Sequence, residues 1–167
     1  MHFGMLFSDE QVMGILQGKI RSTKRKLKPQ PVYLEFVGVP DPVWSWSPSK
    51  RRTLWQYGQA DALELPELAK VAPLIPGDVI ELRESWMYVR SEPNGDIVIR
   101  YRDGDERIYS REGKRFIQPP LGKWMSVRRM YKWIARGSIR ITQTECKRAN
   151  LDAPWFWHYE FEVTPAK

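Results

Sequence analysis

A chain of 167 residues, 42% apolar, with a formal charge of +7 and a pI near 9.6, is long enough for one domain with a real core, and it makes polyanions the first partner class to consider. A single cysteine, Cys146, excludes an internal disulfide framework, and with only His2 and His158 beside it the soft ligands of a typical zinc site are missing, so neither metal nor cofactor is expected. No run reaches the roughly 18 apolar residues of a membrane span, and the N-terminus lacks the layout of a signal peptide, so the expectation is a cytoplasmic protein without a membrane partner.

In chain order, residues 1–7 are short and apolar, as a first strand would be. Ser8 and Gln11 form the S-x-x-Q pattern of a capping box, and Val12, Ile15 and Leu16 follow at helical spacing. Gly18 suits the left-handed position just past a helix end. A basic segment comes next, with Lys19, Arg21, Thr23, Lys24, Arg25, Lys26 and Lys28, and Pro29 and Pro31 close it. Residues 32–39 read as a strand from their β-branched and aromatic content. The prolines at 40, 42 and 48 predict a loop over 40–49, ending in the basic tip Lys50, Arg51 and Arg52 with Trp55 and Tyr57 beyond. Residues 61–72 carry short helical patterning interrupted by Pro66.

After the Pro76-Gly77-Asp78 turn, residues 79–88 alternate as a strand does. Asn94-Gly95 is the strongest hairpin signal in the chain, leading into a strand over 96–102, and Asp103-Gly104 makes a second turn into a strand around 107–109. From Lys114 onward the composition is basic and aromatic, and a helical reading of 128–140 places Arg129, Trp133 and Arg136 on one face with Lys132 beside them. Residues 138–145 and 155–163 read as the last two strands, with Phe156 and His158 on the outer face of the second. Strands at short spacing with one clear helix predict an α+β, β-rich fold built on an antiparallel sheet that closes on itself.

Four blocks carry a resemblance: MLFSDEQVMGILQGKIRSTKRKLKPQP, PGDVIELRESW, RRMYKW and APWFWHYEFEV, in that order. Together they resemble the ASCH-domain proteins carried by phages and prophages. The resemblance implies a PUA-like fold, a small antiparallel β-barrel with flanking short helices, as one domain over 1–167, with 37–70 as a less matched, insertion-like region. It also implies a cleft suited to RNA or a nucleotide, and residence in a phage-infected or lysogenic bacterial cell. The family's G-R-K-T-x-T-R-R hallmark reads here as Gly18-Lys19-Ile20-Arg21-Ser22-Thr23-Lys24-Arg25. Ile20 stands where the family has a lysine and Arg21 where it has its first threonine. The branch that hydrolyses N4-acetylcytidine uses that lysine, the second threonine and a glutamate on a later helix. Between Glu145 and Trp155 this chain has no glutamate at all.

That departure turns the expectation from catalysis towards binding. Amide hydrolysis needs a nucleophile or activated water, a proton carrier and donors for an oxyanion. The remaining catalytic candidates are Thr23, Lys19 and Glu84, and the simplest fate of Glu84 is a structural ion pair. For nucleic acid, Lys19, Arg21, Thr23, Lys24 and Arg25 form a first candidate set, against the default that a charge run is a solvated face. Arg128, Arg129, Lys132, Trp133 and Arg136 form a second, with Trp133 or Trp55 to stack a base. The favoured function is therefore a phage-type nucleic-acid-binding protein without catalysis, with RNA ahead of DNA or a nucleotide as ligand. One alternative is a counter-defence or regulatory protein that inhibits a host complex by protein–protein binding. The other is an N4-acetylcytidine amidohydrolase-like or ribonuclease activity.

Overall fold

The computed structural model describes residues 7–37 and 41–166, so most of the first expected strand, residues 38–39 of the second and residue 40 of the expected loop lie outside the described residues. In chain order the elements are α1 (Asp9–Leu16), β1 (Ser22–Lys26), β2 (Val32–Leu34), β3 (Val43–Ser49), β4 (Arg52–Tyr57), α2 (Pro66–Ala69) and β5 (Val79–Glu81). They continue with β6 (Trp86–Ser91), β7 (Ile97–Tyr101), β8 (Glu106–Tyr109), β9 (Trp124–Met125), β10 (Gly137–Lys147) and β11 (Phe156–Pro165). All the described pairings are antiparallel. Among the described residues the chain is thus β-rich with two short α-helices, and no sheet closes on itself there, so the antiparallel, β-rich part of the expectation is met and a closed barrel is not seen. Among the described residues no helix is long and apolar enough to cross a membrane.

The chain divides into two compact units. Unit 1 contains the described residues up to Ile20, Val79–Ile139 and those from Val163; unit 2 contains Arg21–Asp78 and Arg140–Glu162.

In unit 1, α1 starts at the capping box read from the sequence. The Ser8 side chain accepts from the Gln11 N–H at 3.3 Å, and Gln11 Oε1 accepts from the Ser8 N–H at 3.0 Å. Val12 and Ile15 are fully buried, and the helix ends at Gly18 with φ of 71°. Ile20 packs directly on this helix: a Cβ added to Gly14 would lie 2.6 Å from Ile20 Cδ1, and the Lys19 and Ile20 N–H groups both donate to the Gly14 carbonyl. Ile20 is therefore a packing residue. Strands β8, β7, β6 and β9 form one sheet in that order. Gly95 at φ 87° and Gly104 at φ 88° make its two hairpin turns, as Asn94-Gly95 and Asp103-Gly104 predicted. Its core joins Trp86, Tyr88, Ile97, Ile99, Tyr101, Phe116, Met130 and Ile134.

Two expectations fail in this unit. The strand foreseen over 79–88 breaks into β5 and β6, because residues 82–85 leave the ladder and turn Glu84 inward to full burial. The 128–140 region is not an α-helix: it forms two 3-10 turns, Val127–Arg129 and Lys132–Ile134, before β10 begins. Extended residues separate the turns, so the shared face of Arg129, Trp133 and Arg136 that helical spacing implied does not arise.

In unit 2, β2, β3 and β4 form a three-stranded sheet, while β1 pairs with β11 and β11 with β10. The loop expected over 40–49 is largely strand β3. Its two prolines at 42 and 48 fall just before the strand and at the register shift between Trp46 and Ser49, where a missing N–H costs no ladder bond. Trp44 and Trp46 point to one face and meet Trp155 and Trp157 edge-on, at centroid separations of 5.1 and 5.3 Å. Each indole of β3 keeps a partner, Trp44 Nε1 donating to the Gln59 carbonyl and Trp46 Nε1 to that of Pro29. Arg148 locks the rim: it donates to the carbonyls of Ala60, Ala62 and Leu151 and lies 4.8 Å from the Trp155 ring centroid.

Candidate ligand pocket

In unit 1 the residues between β8 and β10 wrap back onto β6 and enclose a cavity of about 610 Å³. Trp86, Met130, Tyr131, Ile117, Pro119, Pro120, Arg128 and Arg129 line it. Among the described residues no carboxylate lines it. The aromatic lining is rigid because the rings brace one another. Trp86 lies 6.1 Å from Tyr131, and Phe116 lies 6.3 Å from Trp86 and 5.5 Å from Tyr131. The Tyr131 hydroxyl accepts from the Ile117 N–H at 3.1 Å, which fixes the ring against the cavity wall. Trp86 is 1% exposed, yet its Nε1–H has no acceptor among the described residues. A buried donor left unmade costs about 1–3 kcal/mol.

Beside this lining lies a closed ion network. Arg136 donates to both Glu84 carboxylate oxygens at 2.7 Å, and its third nitrogen, Nη1, reaches Asp103 at 2.5 Å and Asp105 at 3.3 Å. The guanidinium carbon lies 4.5 Å from the centroid of the Tyr101 ring. The Tyr101 hydroxyl donates to the Ile134 carbonyl at 2.6 Å and shares a 2.5 Å hydrogen bond with Tyr109. Burial pushes the Glu84 carboxyl up from its ordinary value, and the hydrogen bonds and charge of Arg136 oppose that rise. Burial also works against the Arg136 charge, but hydrogen bonds to Glu84 and Asp103 hold that guanidinium protonated more firmly than usual. Met130, in the pocket lining, accepts the Glu84 N–H through its sulfur at 3.2 Å, which couples the network to the pocket wall.

The residues singled out in the sequence fall in different places. Arg128 and Arg129 are exposed and line the cavity. Trp133 is half-buried, its ring tilted at 34° to Tyr131 with centroids 5.8 Å apart and Lys114 Nζ 5.1 Å from its ring centroid. Lys132 is exposed and pairs with Glu81 at 3.3 Å. Arg136 does not reach solvent: its side chain is 5% exposed and all three of its nitrogens are engaged. Glu84 is fully buried in the same network, so it presents no free carboxylate for proton transfer. Lys19 is exposed just past α1.

The remaining candidates belong to unit 2. Arg21 immediately precedes β1, and Thr23, Lys24 and Arg25 lie on it, opposite Tyr159, His158 and Trp157 of β11. Thr23 and Arg25 are half-buried and Lys24 is exposed, with its Nζ 4.8 Å from the Phe156 ring centroid. Trp55 is 54% exposed on β4. His158 is held by Glu145 at 2.9 Å, and Lys147 bonds the same carboxylate. The Lys147 hydrogen bond, then that of His158, holds the Glu145 carboxyl down to about 2.

Sequence reasoning missed the pocket lining around Trp86. Trp86, Met130 and Tyr131 lie up to 45 residues apart, and no local spacing announces that they meet. Among the described residues no group of three or more His, Cys, Asp or Glu side chains is arranged to hold a metal. No protein-family model, no curated protein and no solved structure matches this chain.

Proposed function

We propose that this protein binds nucleic acid, RNA ahead of DNA, or a nucleotide, through the unit 1 pocket and without catalysis. The observation that carries this reading is the cavity itself: the half-buried Tyr131 ring for a base, two exposed arginines and, among the described residues, no carboxylate in the wall. Bases stack on aromatic planes, and arginine engages phosphate with paired donors. The engagement of Glu84 by Arg136 supports binding over hydrolysis, because the carboxylate of highest burial is already committed to a structural pair. The ASCH-type, PUA-like ancestry and phage origin implied by the sequence resemblance form part of the same proposal.

The test is anisotropy of labelled single-stranded RNA, structured RNA and DNA, with uridine and adenosine monophosphates as competitors, at low salt. Binding is expected to weaken steeply with salt through counterion release. The Arg128→Ala, Arg129→Ala double variant is expected to lose affinity and to flatten the salt slope by about 0.7 for each phosphate that it no longer neutralises. No binding of any of these ligands at low salt sinks the reading.

A further inference from the structure

The β2–β3–β4 sheet of unit 2 has two faces with opposite fates. Register places Val32, Ser45 and Trp55 in one cross-strand row and Leu34, Val43 and Tyr57 in the next, all on the same face. The other face carries Tyr33, Trp44, Gln56 and Trp46. It is covered by Trp155 and Trp157, while Gln56 caps the N–H groups of Glu67 and Leu68. The first face is covered at Val43, which is buried, and in part at Leu34 and Ser45, while its β4 side stands open. Val32 is 55% exposed, Trp55 54% and Tyr57 73%, and Phe36, 47% exposed, lies 6.4 Å from the Trp55 ring.

Several large aromatics grouped on one open sheet face mark an interaction site, so a ligand that covers them is implied. Its chemistry follows from what borders them. The β3–β4 turn ends in Lys50, Arg51 and Arg52, all exposed, and no strand position on the open face is Asp or Glu. Trp55 and Tyr57, two residues apart on one strand, are separated by about 6.6 Å, roughly twice the rise between stacked bases. An aromatic pair at that spacing beside a cluster of cations complements a chain that alternates flat bases with phosphates.

We infer that this face is a second binding surface, a stacking platform for single-stranded nucleic acid, with Trp55 and Tyr57 each under one base and the Lys50–Arg52 tip on the backbone. The inference rests on the nucleic-acid reading above for its class of ligand, but uses none of the pocket residues.

The experiment compares wild type, Trp55→Ala with Tyr57→Ala, and Trp55→Phe, against labelled oligouridylates of about 4 and about 12 nucleotides and against uridine monophosphate. Circular dichroism confirms that the variants fold. The double alanine variant is expected to lose about tenfold or more in affinity for the longer oligomer. Trp55→Phe should retain most of it, and monophosphate binding should stay unchanged. Undiminished oligomer binding in the double alanine variant overturns the platform and leaves the pocket reading intact. Absence of all binding by wild type overturns the pocket reading and this inference together. A wild-type dimer in sedimentation that the double variant abolishes, with oligomer affinity unchanged, assigns the face to a second copy instead.

Discussion

Each unit buries aromatic rings and one arginine, but unit 1 pairs its arginine with carboxylates and unit 2 holds Arg148 on backbone carbonyls while leaving two large rings in solvent. In unit 1 the aromatic rings turn inward, and one arginine goes with them: Trp86, Tyr101 and Phe116 are buried, and Arg136 is held by three carboxylates. In unit 2 the sheet alternates, so Trp44 and Trp46 face Trp155 and Trp157 while Trp55 and Tyr57 on the opposite face stand in solvent. A buried cation demands complete pairing, because an uncompensated charge in the interior costs far more than its partner contributes at the surface. An exposed aromatic demands nothing from the fold, and is therefore free to serve a ligand.

That contrast can be disrupted most severely at Arg136. Replacing it by alanine leaves Glu84 buried and unpaired, and denaturant unfolding should show a loss of about 3–5 kcal/mol. Arg136→Lys should recover only part of this, since a single ammonium cannot span both Glu84 oxygens as the guanidinium does. In unit 2, Trp46→Ala removes an edge-on contact with Trp157 and the hydrogen bond to Pro29, with an expected cost of about 3 kcal/mol. Should Trp46→Ala prove nearly neutral, the inner face of the sheet is not a core.

A smaller effect is expected with pH. The Glu145 carboxyl is held at about 2 against an ordinary 4.5, so ionised Glu145 stabilises the folded state above pH 4.5, and that contribution disappears as pH falls from 4.5 towards 2. The stability difference between wild type and Glu145→Gln, followed by urea unfolding, should shrink over that window. Lys147→Ala should move the Glu145 titration upward in an NMR experiment, because Lys147 is the largest contributor to its depression. The smallest expected effect is on the stability of Trp55→Ala, within about 0.5 kcal/mol of wild type. A larger loss in thermal unfolding would mean that Trp55 is packed and not displayed.

Local chemistry was legible where it is settled within a few residues. Ser8 and Gln11 announced the helix start, Gly18 its end, and Asn94-Gly95 and Asp103-Gly104 their hairpins, since each acts through backbone geometry nearby. The outward pairing of Phe156 and His158 followed from period-two alternation and appears as half-burial between buried Trp155, Trp157 and Tyr159. The prolines before and within β3 misled because a proline is compatible with a strand wherever its absent N–H is not needed, and sequence does not reveal which positions those are.

Residue order alone thus establishes a chain that is basic, rich in strands and aromatic rings, and punctuated by caps and turns at identifiable positions. Folding in three dimensions settles which rings are core and which are surface, that Arg136 neutralises Glu84 over 52 residues of separation, and that Arg128 and Arg129 border a cavity. The difference is one of range: capping and turn formation are complete within one or two turns of chain, whereas burial and ion pairing depend on partners that only folding brings near.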